Sequence, residues 1–267
     1  MENFTDEQLD QQLGTGSKQF TRFRTITVDN GSDIQGTGAT GEFIEKQYDS
    51  ATQTTAKIPF SDIFQGVILA SKAQVADKAK YPTWRTDEFD PSNVSENIAV
   101  YPLMAGKFIK NPEGEIQKNF MTYRDLKFAK STPQPDKTRQ STYNYFIILY
   151  VGVNGKVLKL KFKGASRGNF FDFNKAVAQL GAKIYNVNTV FSTYETDGKY
   201  AIKFDVEKDD KGVLTQVDAS EVRAMRVQVA QSFQAFAGAR IGAPEQVRQI
   251  DEQKKDDNEE VPFSGVI

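Results

Sequence analysis

Tyr143-Asn-Tyr-Phe-Ile-Ile-Leu-Tyr-Val-Gly-Val153-Asn-Gly155-Lys-Val-Leu-Lys159-Leu-Lys161-Phe-Lys163 is the stretch from which the fold is read. Two runs rich in aromatic and aliphatic residues flank Asn154-Gly155. Asn-Gly supplies the two positive φ angles of a type I′ turn, so the stretch predicts a β-hairpin. Strand periodicity then puts Lys159, Lys161 and Lys163 on one face of the second strand, with Leu158, Leu160 and Phe162 opposite. On the first strand, Tyr143, Tyr145 and Ile147 share one face. Phe146, Ile148 and Tyr150 share the other.

Working outward, more strands are predicted. Residues 58–60 and 63–70 form an apolar run, and a polar stretch, 71–97, follows with the single Trp84. Candidate strands at 98–104, 106–110 and 120–128 precede the hairpin, and others at 183–194 and 200–207 follow it. Turn chemistry marks 111–114, 196–198 and 209–212. A short helix is expected at 169–180, with Ser166 or Asn169 as its N-cap. A longer helix is expected at 218–237, with Asp218 and Glu221 as a capping box and Gly238 as its stop. Val222, Met225, Val229, Phe233 and Phe236 form its apolar stripe and give it a face to pack with.

The fold class is mainly β with added helices, an α+β chain. The expectation is an OB-like β-barrel with insertions and a C-terminal helix. Residues 1–50 read as a weakly ordered arm holding one alternating island at 18–28. Residues 51–240 read as the nucleic-acid-binding domain, and 241–267 as a disordered acidic tail. Gly36-Thr-Gly38-Ala-Thr-Gly41 matches G-x-G-x-x-G, but no strand leads into it, so it reads as a linker.

Composition removes whole classes of chemistry. The 267 residues contain no His and no Cys. Disulfides, zinc fingers, iron–sulfur clusters, haem ligation and Cys or Ser–His hydrolysis are thereby excluded. Carboxylate-bound magnesium or calcium remains open. The acids Asp205, Glu207, Asp209 and Asp210 read as a solvated turn and not as a calcium loop. No apolar run is long enough for a membrane span, and the acidic start differs from a signal peptide. A cytoplasmic protein without cofactor is expected.

The formal net charge of −1 hides segregation. Residues 1–12 and residues 251–260 each carry −4, which leaves +7 for 13–250. Residues 105–163 alone hold twelve bases against four acids. A basic body with an acidic tail suits a polyanion binder whose tail competes for the same groove. Lysines and arginines neutralise phosphates, and flat side chains take unstacked bases at about 1–3 kcal/mol each. The candidate phosphate contacts are Lys127, Lys159, Lys161, Lys163 and Arg167. The candidate stacking residues are Trp84, Tyr123, Tyr143 and Tyr145. Phe120, Tyr123, Arg124, Lys127 and Phe128 form a second basic and aromatic cluster. Gly164–Gly168, between the basic strand and the next helix, reads as an ordinary strand–helix junction.

The tail Asp256-Asp257-Asn-Glu259-Glu260-Val-Pro262-Phe263 resembles the acidic tip of bacterial single-stranded DNA-binding proteins. In that family the tip docks on replication and repair enzymes. The resemblance implies that Pro262 and Phe263 enter an apolar pocket of a partner, while Asp256, Asp257, Glu259 and Glu260 meet its basic rim. Here Ser264-Gly-Val-Ile267 follows the Phe, which ends the chain in most of the family. Phage-encoded single-strand binders have similar tails, so a phage or mobile element is a natural source. The expectation is a non-enzymatic single-stranded DNA-binding protein for replication or recombination, with homo-oligomerisation left open. The alternatives are a virion structural or scaffolding protein and a metal-dependent nuclease or strand-annealing protein.

Overall fold

In the computed structural model the hairpin lies at the centre of a large mixed sheet. The structure describes residues 23–31, 40–49, 54–79, 82–105, 107–129, 131–133, 139–141, 143–215 and 217–238. Asn154 and Gly155 have φ of 49° and 71°, as a type I′ turn demands. Strands Tyr143–Val153 and Lys156–Phe162 pair antiparallel from Val153↔Lys156 to Ile147↔Phe162. In chain order these are β11 and β12.

The other edge of β11 pairs with β4, the long strand Phe64–Asp77. The expected apolar run therefore continues through Lys72-Ala-Gln-Val75, whose alternation belongs to a strand although its composition is polar. The far edge of β4 divides. Residues 64–67 pair with β13 (Asn188–Thr196), which returns as β14 (Lys199–Val206). Ala76 pairs with Arg85 of β5 (Trp84–Thr86), which leads to β6 (Ile98–Met104). Two short strands, β7 (Lys107–Phe108) and β8 (Asn119–Met121), pair with β6. Beyond β12 lie β1 (Thr25–Val28, parallel), β2 (Phe43–Asp49) and β3 (Thr54–Ser61). The arm expected over 1–50 thus holds two strands of the main sheet. A separate small pair joins β9 (Ser131–Pro133) to β10 (Arg139–Ser141).

The strand expected at 120–128 ends early. Only residues 119–121 are extended, and helix α1, Tyr123–Ala129, follows. The Thr122 hydroxyl accepts from the Asp125 amide at 3.2 Å and donates to the Asp125 carboxylate at 2.6 Å, which starts the helix. The expected strand at 183–194 opens with a 3₁₀ turn at Ile184–Asn186 and starts at Asn188. Helix α2, Ala165–Gln179, starts four residues before the expected 169 and has Gly164 at its N-cap. Ser166 and Asn169 do not cap it, because β14 uses both. The Ser166 hydroxyl accepts from the Ile202 amide (2.9 Å), and the Asn169 amide donates to the Ile202 carbonyl (2.7 Å).

That use explains how the sheet ends. Among the described residues the edge of β14 away from β13 has no strand partner, yet the backbone groups of Ile202 and Tyr200 on it are satisfied by side chains. Asn30 brackets the next residue on the same edge, accepting from the Tyr200 amide (2.6 Å) and donating to its carbonyl (3.2 Å). An exposed edge of unpaired amides would template aggregation. Here two side-chain brackets occupy it and bring β14 beside the β1–β2 connection without a ladder. Gly41 in that connection has φ 75°, and a Cβ there would collide with the Tyr200 ring.

The inner face of the sheet holds the main core. Ile26, Phe43, Leu149, Leu160, Phe191 and Ile202 are fully buried there, and α2 adds Phe170, Phe173 and Val177. The Phe64 and Phe191 rings stack at 4.5 Å, and Phe204 touches Phe162, Phe170, Phe173 and Phe191. Each such side chain contributes roughly 1.5–3 kcal/mol by leaving water.

Helix α3, Ala219–Gly238, begins where Asp218 accepts from the Ser220 and Glu221 amides. Val222, Met225 and Val229 of the expected stripe are buried. Met225 lies against Gly152, where a Cβ would come within 2.6 Å of its methyl group. Residues 22–229 form one compact unit. Of the other unit, 1–21 with 230–267, only helical residues 230–238 are described.

Candidate nucleic-acid interface

A two-residue turn with Val153 opposite Lys156 fixes every later pair of the hairpin. Lys159 falls opposite Tyr150 and Lys161 opposite Ile148. On the other side of β11, Ile148 faces Lys72 and Phe146 faces Gln74 of β4. Arg85 of β5 faces Ala76 on the same side of the sheet. The face of the sheet opposite Leu158 and Leu160 therefore collects Lys72, Arg85, Lys159, Lys161 and Lys163 around Phe146, with Ile148 and Tyr150 buried beneath them. The same alternation buries Leu158, Leu160 and Phe162 inside, as expected.

The cations are held in place. Lys161 Nζ donates to Gln74 Oε1 (2.6 Å) and lies 4.2 Å from the Phe146 ring centre. Burial pushes its ammonium down to about 8, with Arg85 the next cause and Lys159 and Lys163 adding to it. Lys163 Nζ donates to Asn144 Oδ1 (3.0 Å) and lies 5.5 Å from the same ring. Lys159 pairs with Glu88 at 2.7 Å and lies 5.0 Å from the Tyr150 ring. The Tyr150 hydroxyl donates to the other oxygen of Glu88. Burial and that carboxylate both push the phenol of Tyr150 up. Arg85 covers the Phe108 ring at 4.4 Å, and Tyr101 meets Phe108 edge-on while donating to Asp87. Burial lowers the Arg85 guanidinium.

The four expected stacking residues do gather, but on the other face. Trp84, Tyr123, Tyr143 and Tyr145 pack around a second buried cluster of Ala73, Val75, Phe89, Ile98, Val100 and Leu126. Tyr123 and Tyr145 lie 6.4 Å apart, and burial pushes the Tyr145 phenol up. Arg167 joins them, 5.2 Å from the Tyr145 ring. It is thus parted from the lysine row, although only Gly164–Ser166 separates it from Lys163. Lys127 lies in α1, and its side chain is outside the described residues, as is that of Phe128. Phe120 is exposed on β8 with Lys118 5.6 Å from its ring, away from Tyr123 in the helix. Asp256, Asp257, Glu259, Glu260, Pro262 and Phe263 lie outside the described residues.

Sequence reasoning missed Lys72, Gln74, Arg85 and Glu88 on the cationic face. The alternation Lys72-Ala-Gln-Val75 carried the signal for the first two. Nothing local marks Glu88, which reaches Lys159 across 71 residues of sequence. Three of the acids at 205–210 have structural partners. Asp205 pairs with Lys203 (2.8 Å), Glu207 accepts from Asn188 (2.7 Å), and Asp209 accepts from the Lys211 and Val213 amides. Among the described residues no group of three or more acids is placed to hold a metal, and no helix is long and apolar enough to cross a membrane. The chain matches no protein-family model, no curated protein and no solved structure.

Proposed function

We propose that this chain is a non-enzymatic, cytoplasmic single-stranded DNA-binding protein built on an OB-like sheet. The observation that carries the reading is the outward row Lys159, Lys161 and Lys163, flanked by Arg85 and Lys72 and interleaved with Phe146 and Tyr150. Alternate strand residues lie about 6.6 Å apart, a step suited to successive phosphates of an extended strand.

Strand order supports the OB-like part. Strands β4, β11, β12, β13 and β14 run in sequence, with α2 between β12 and β13. In space they lie in the order β12-β11-β4-β13-β14. The described sheet is open, since β12 pairs with β1 and not with β14; an OB-fold with this strand order takes oligonucleotides on its second and third strands, which here would be β11 and β12. Residues 78–142 then form an insertion after the first strand, and β1–β3 add to the edge of the third.

In this reading the lysines and Arg85 hold phosphates, and the half-buried Phe146 and Phe108 offer the stacking surface. Trp84, Tyr123, Tyr143, Tyr145 and Arg167 form a second patch beside the path. The acidic tail competes for the same cations or recruits replication or repair proteins. Anisotropy of labelled oligo-dT at two salt concentrations tests the reading. Binding at low salt should weaken steeply as salt rises, by counterion release. No binding at low salt overturns the proposal. Removal of residues 251–267 should leave affinity equal or higher.

A further inference from the structure

Among the described residues, Glu88 is the carboxylate that directly bonds the lysine row. Its two oxygens accept from two different groups: Lys159 Nζ at 2.7 Å and the Tyr150 hydroxyl. Its position is set by the next residue, since Phe89 exchanges both backbone hydrogen bonds with Ala73 of β4 (2.9 and 2.8 Å). Lys159 and Lys161 stand beside it, and Lys163 lies one step further along the strand. Phe23 closes one side, edge-on to Tyr150 at 5.7 Å. The ion pair keeps water access, with side-chain exposures of 16% for Lys159 and 21% for Glu88.

A carboxylate and a phosphodiester offer the same features to such donors: one negative charge and two equivalent oxygens. Charge-assisted bonds from lysine and tyrosine form to either. We propose that Lys159 and Tyr150 form a phosphodiester subsite that Glu88 occupies in the free protein, and that a phosphate of the bound strand displaces it. This rests on the reading of the lysine face as a DNA interface. The exchange is isoelectric at the subsite, so Lys159 and Tyr150 keep a partner throughout. Its cost is the release of Glu88 beside the incoming backbone, which lowers affinity below what the lysine row alone would give. The Glu88 side chain therefore sets the affinity and salt dependence of the interface.

The test compares full-length parent and Glu88→Gln on labelled oligo-dT. The variant should bind about three- to tenfold tighter at moderate salt, because one cation no longer has a competing anion. Its salt dependence should steepen by about 0.7 in log–log slope, because no freed carboxylate takes up a cation when the phosphate binds Lys159. Adding Lys159→Gln to Glu88→Gln should remove both gains. Equal or weaker binding by a folded Glu88→Gln, with the parent still binding, overturns the displacement and leaves the DNA reading standing. Absence of binding by both proteins overturns the two together.

If Glu88→Gln does not fold, the parent itself gives the answer by NMR. The Glu88 side-chain carboxyl signal should move on saturation with oligo-dT and stay in place with inorganic phosphate at matched ionic strength. An unmoved signal at saturation with DNA overturns the proposal. A full shift with inorganic phosphate alone overturns the assignment to a strand phosphate.

Discussion

The two faces of β12 differ by a single step along the chain and by nearly everything else. Leu160 is wholly buried among Phe, Ile and Leu side chains. Lys161, the next residue, points to the opposite side among Arg85, Lys159 and Lys163, with Gln74 as its hydrogen-bond partner. Both side chains are substantially removed from water, but only one removal favours folding. Burying Leu160 adds apolar transfer energy. Crowding Lys161 with other cations costs energy unless an anion arrives. Neighbouring residues of one strand can thus be set by different demands: Leu160 by stability and, in the proposed reading, Lys161 by a ligand.

The largest break of this comparison is Leu160→Ala. Its side chain is fully buried, so the loss combines transfer and cavity terms, about 2–5 kcal/mol. Chemical denaturation should show this loss, while oligo-dT affinity at a temperature where the variant is folded should stay within twofold of the parent. Lys161→Met should show the complementary pattern, a gain in stability with a loss of affinity. The ammonium titrates at about 8 in the folded state, against 10.5 ordinarily. Between those values the unfolded chain holds a proton that the native state has lost, so stability rises with pH across that window. Below about 8 the folded protein carries the whole penalty, roughly 3 kcal/mol before the lost bond to Gln74 is set against it. Lys161→Met should therefore be more stable than the parent at pH 7, with the difference shrinking from pH 8 to 10.5. Its oligo-dT affinity should fall. A variant less stable at pH 7, or a difference independent of pH, would contradict this account.

How much of this was legible follows the range of the interactions involved. Asn154-Gly155 forces a tight turn by local φ preference, and a two-residue turn dictates the register of both strands. Lys159 opposite Tyr150 was therefore available by counting from the turn. Phe146, Ile148 and Tyr150 belong to the lysine face for that reason, and Tyr143 and Tyr145 to the inner one. Both sets are legible in the sequence, but Tyr143 and Tyr145 of the second read as stacking residues, because phenylalanine is among the most often buried residue types. The start of α1 was also legible, since Thr122-Tyr-Arg-Asp125 is a capping pattern. It was masked by alternating aromatics that imitate a strand. The use of Ser166 and Asn169 by Ile202 was not legible, nor was Glu88. These bonds span 36, 33 and 71 residues and depend on the finished sheet.

The register gives a sharper contrast between Phe146 and Tyr145, adjacent residues that face opposite ways. Phe146→Leu removes a ring from beneath Lys161 and Lys163 and a stacking surface from the proposed path. Oligo-dT binding should weaken about fivefold, the low end of one base–aromatic stack, with stability nearly unchanged. Tyr145→Leu removes a ring packed between both buried clusters. It should lower stability by about 1–2 kcal/mol and leave affinity within twofold. The reverse pattern would move the path to the Tyr145 and Arg167 side.

The smallest expected effect concerns an exception inside the apolar face. Thr189 lies opposite Gly66 on β13, is fully buried, and its hydroxyl has no hydrogen-bond partner. Its neighbour two residues on, Phe191, stacks on Phe64 in the core. An unbonded buried hydroxyl costs free energy that a methyl group of the same shape does not. Thr189→Val keeps both the β-branch and the volume. It should raise stability by about 1 kcal/mol in denaturant titration, with no change in DNA affinity. A loss of stability instead would mean that a water bonds the hydroxyl, and that the inner face accepts polar atoms on the terms Lys161 meets outside: a partner must be supplied.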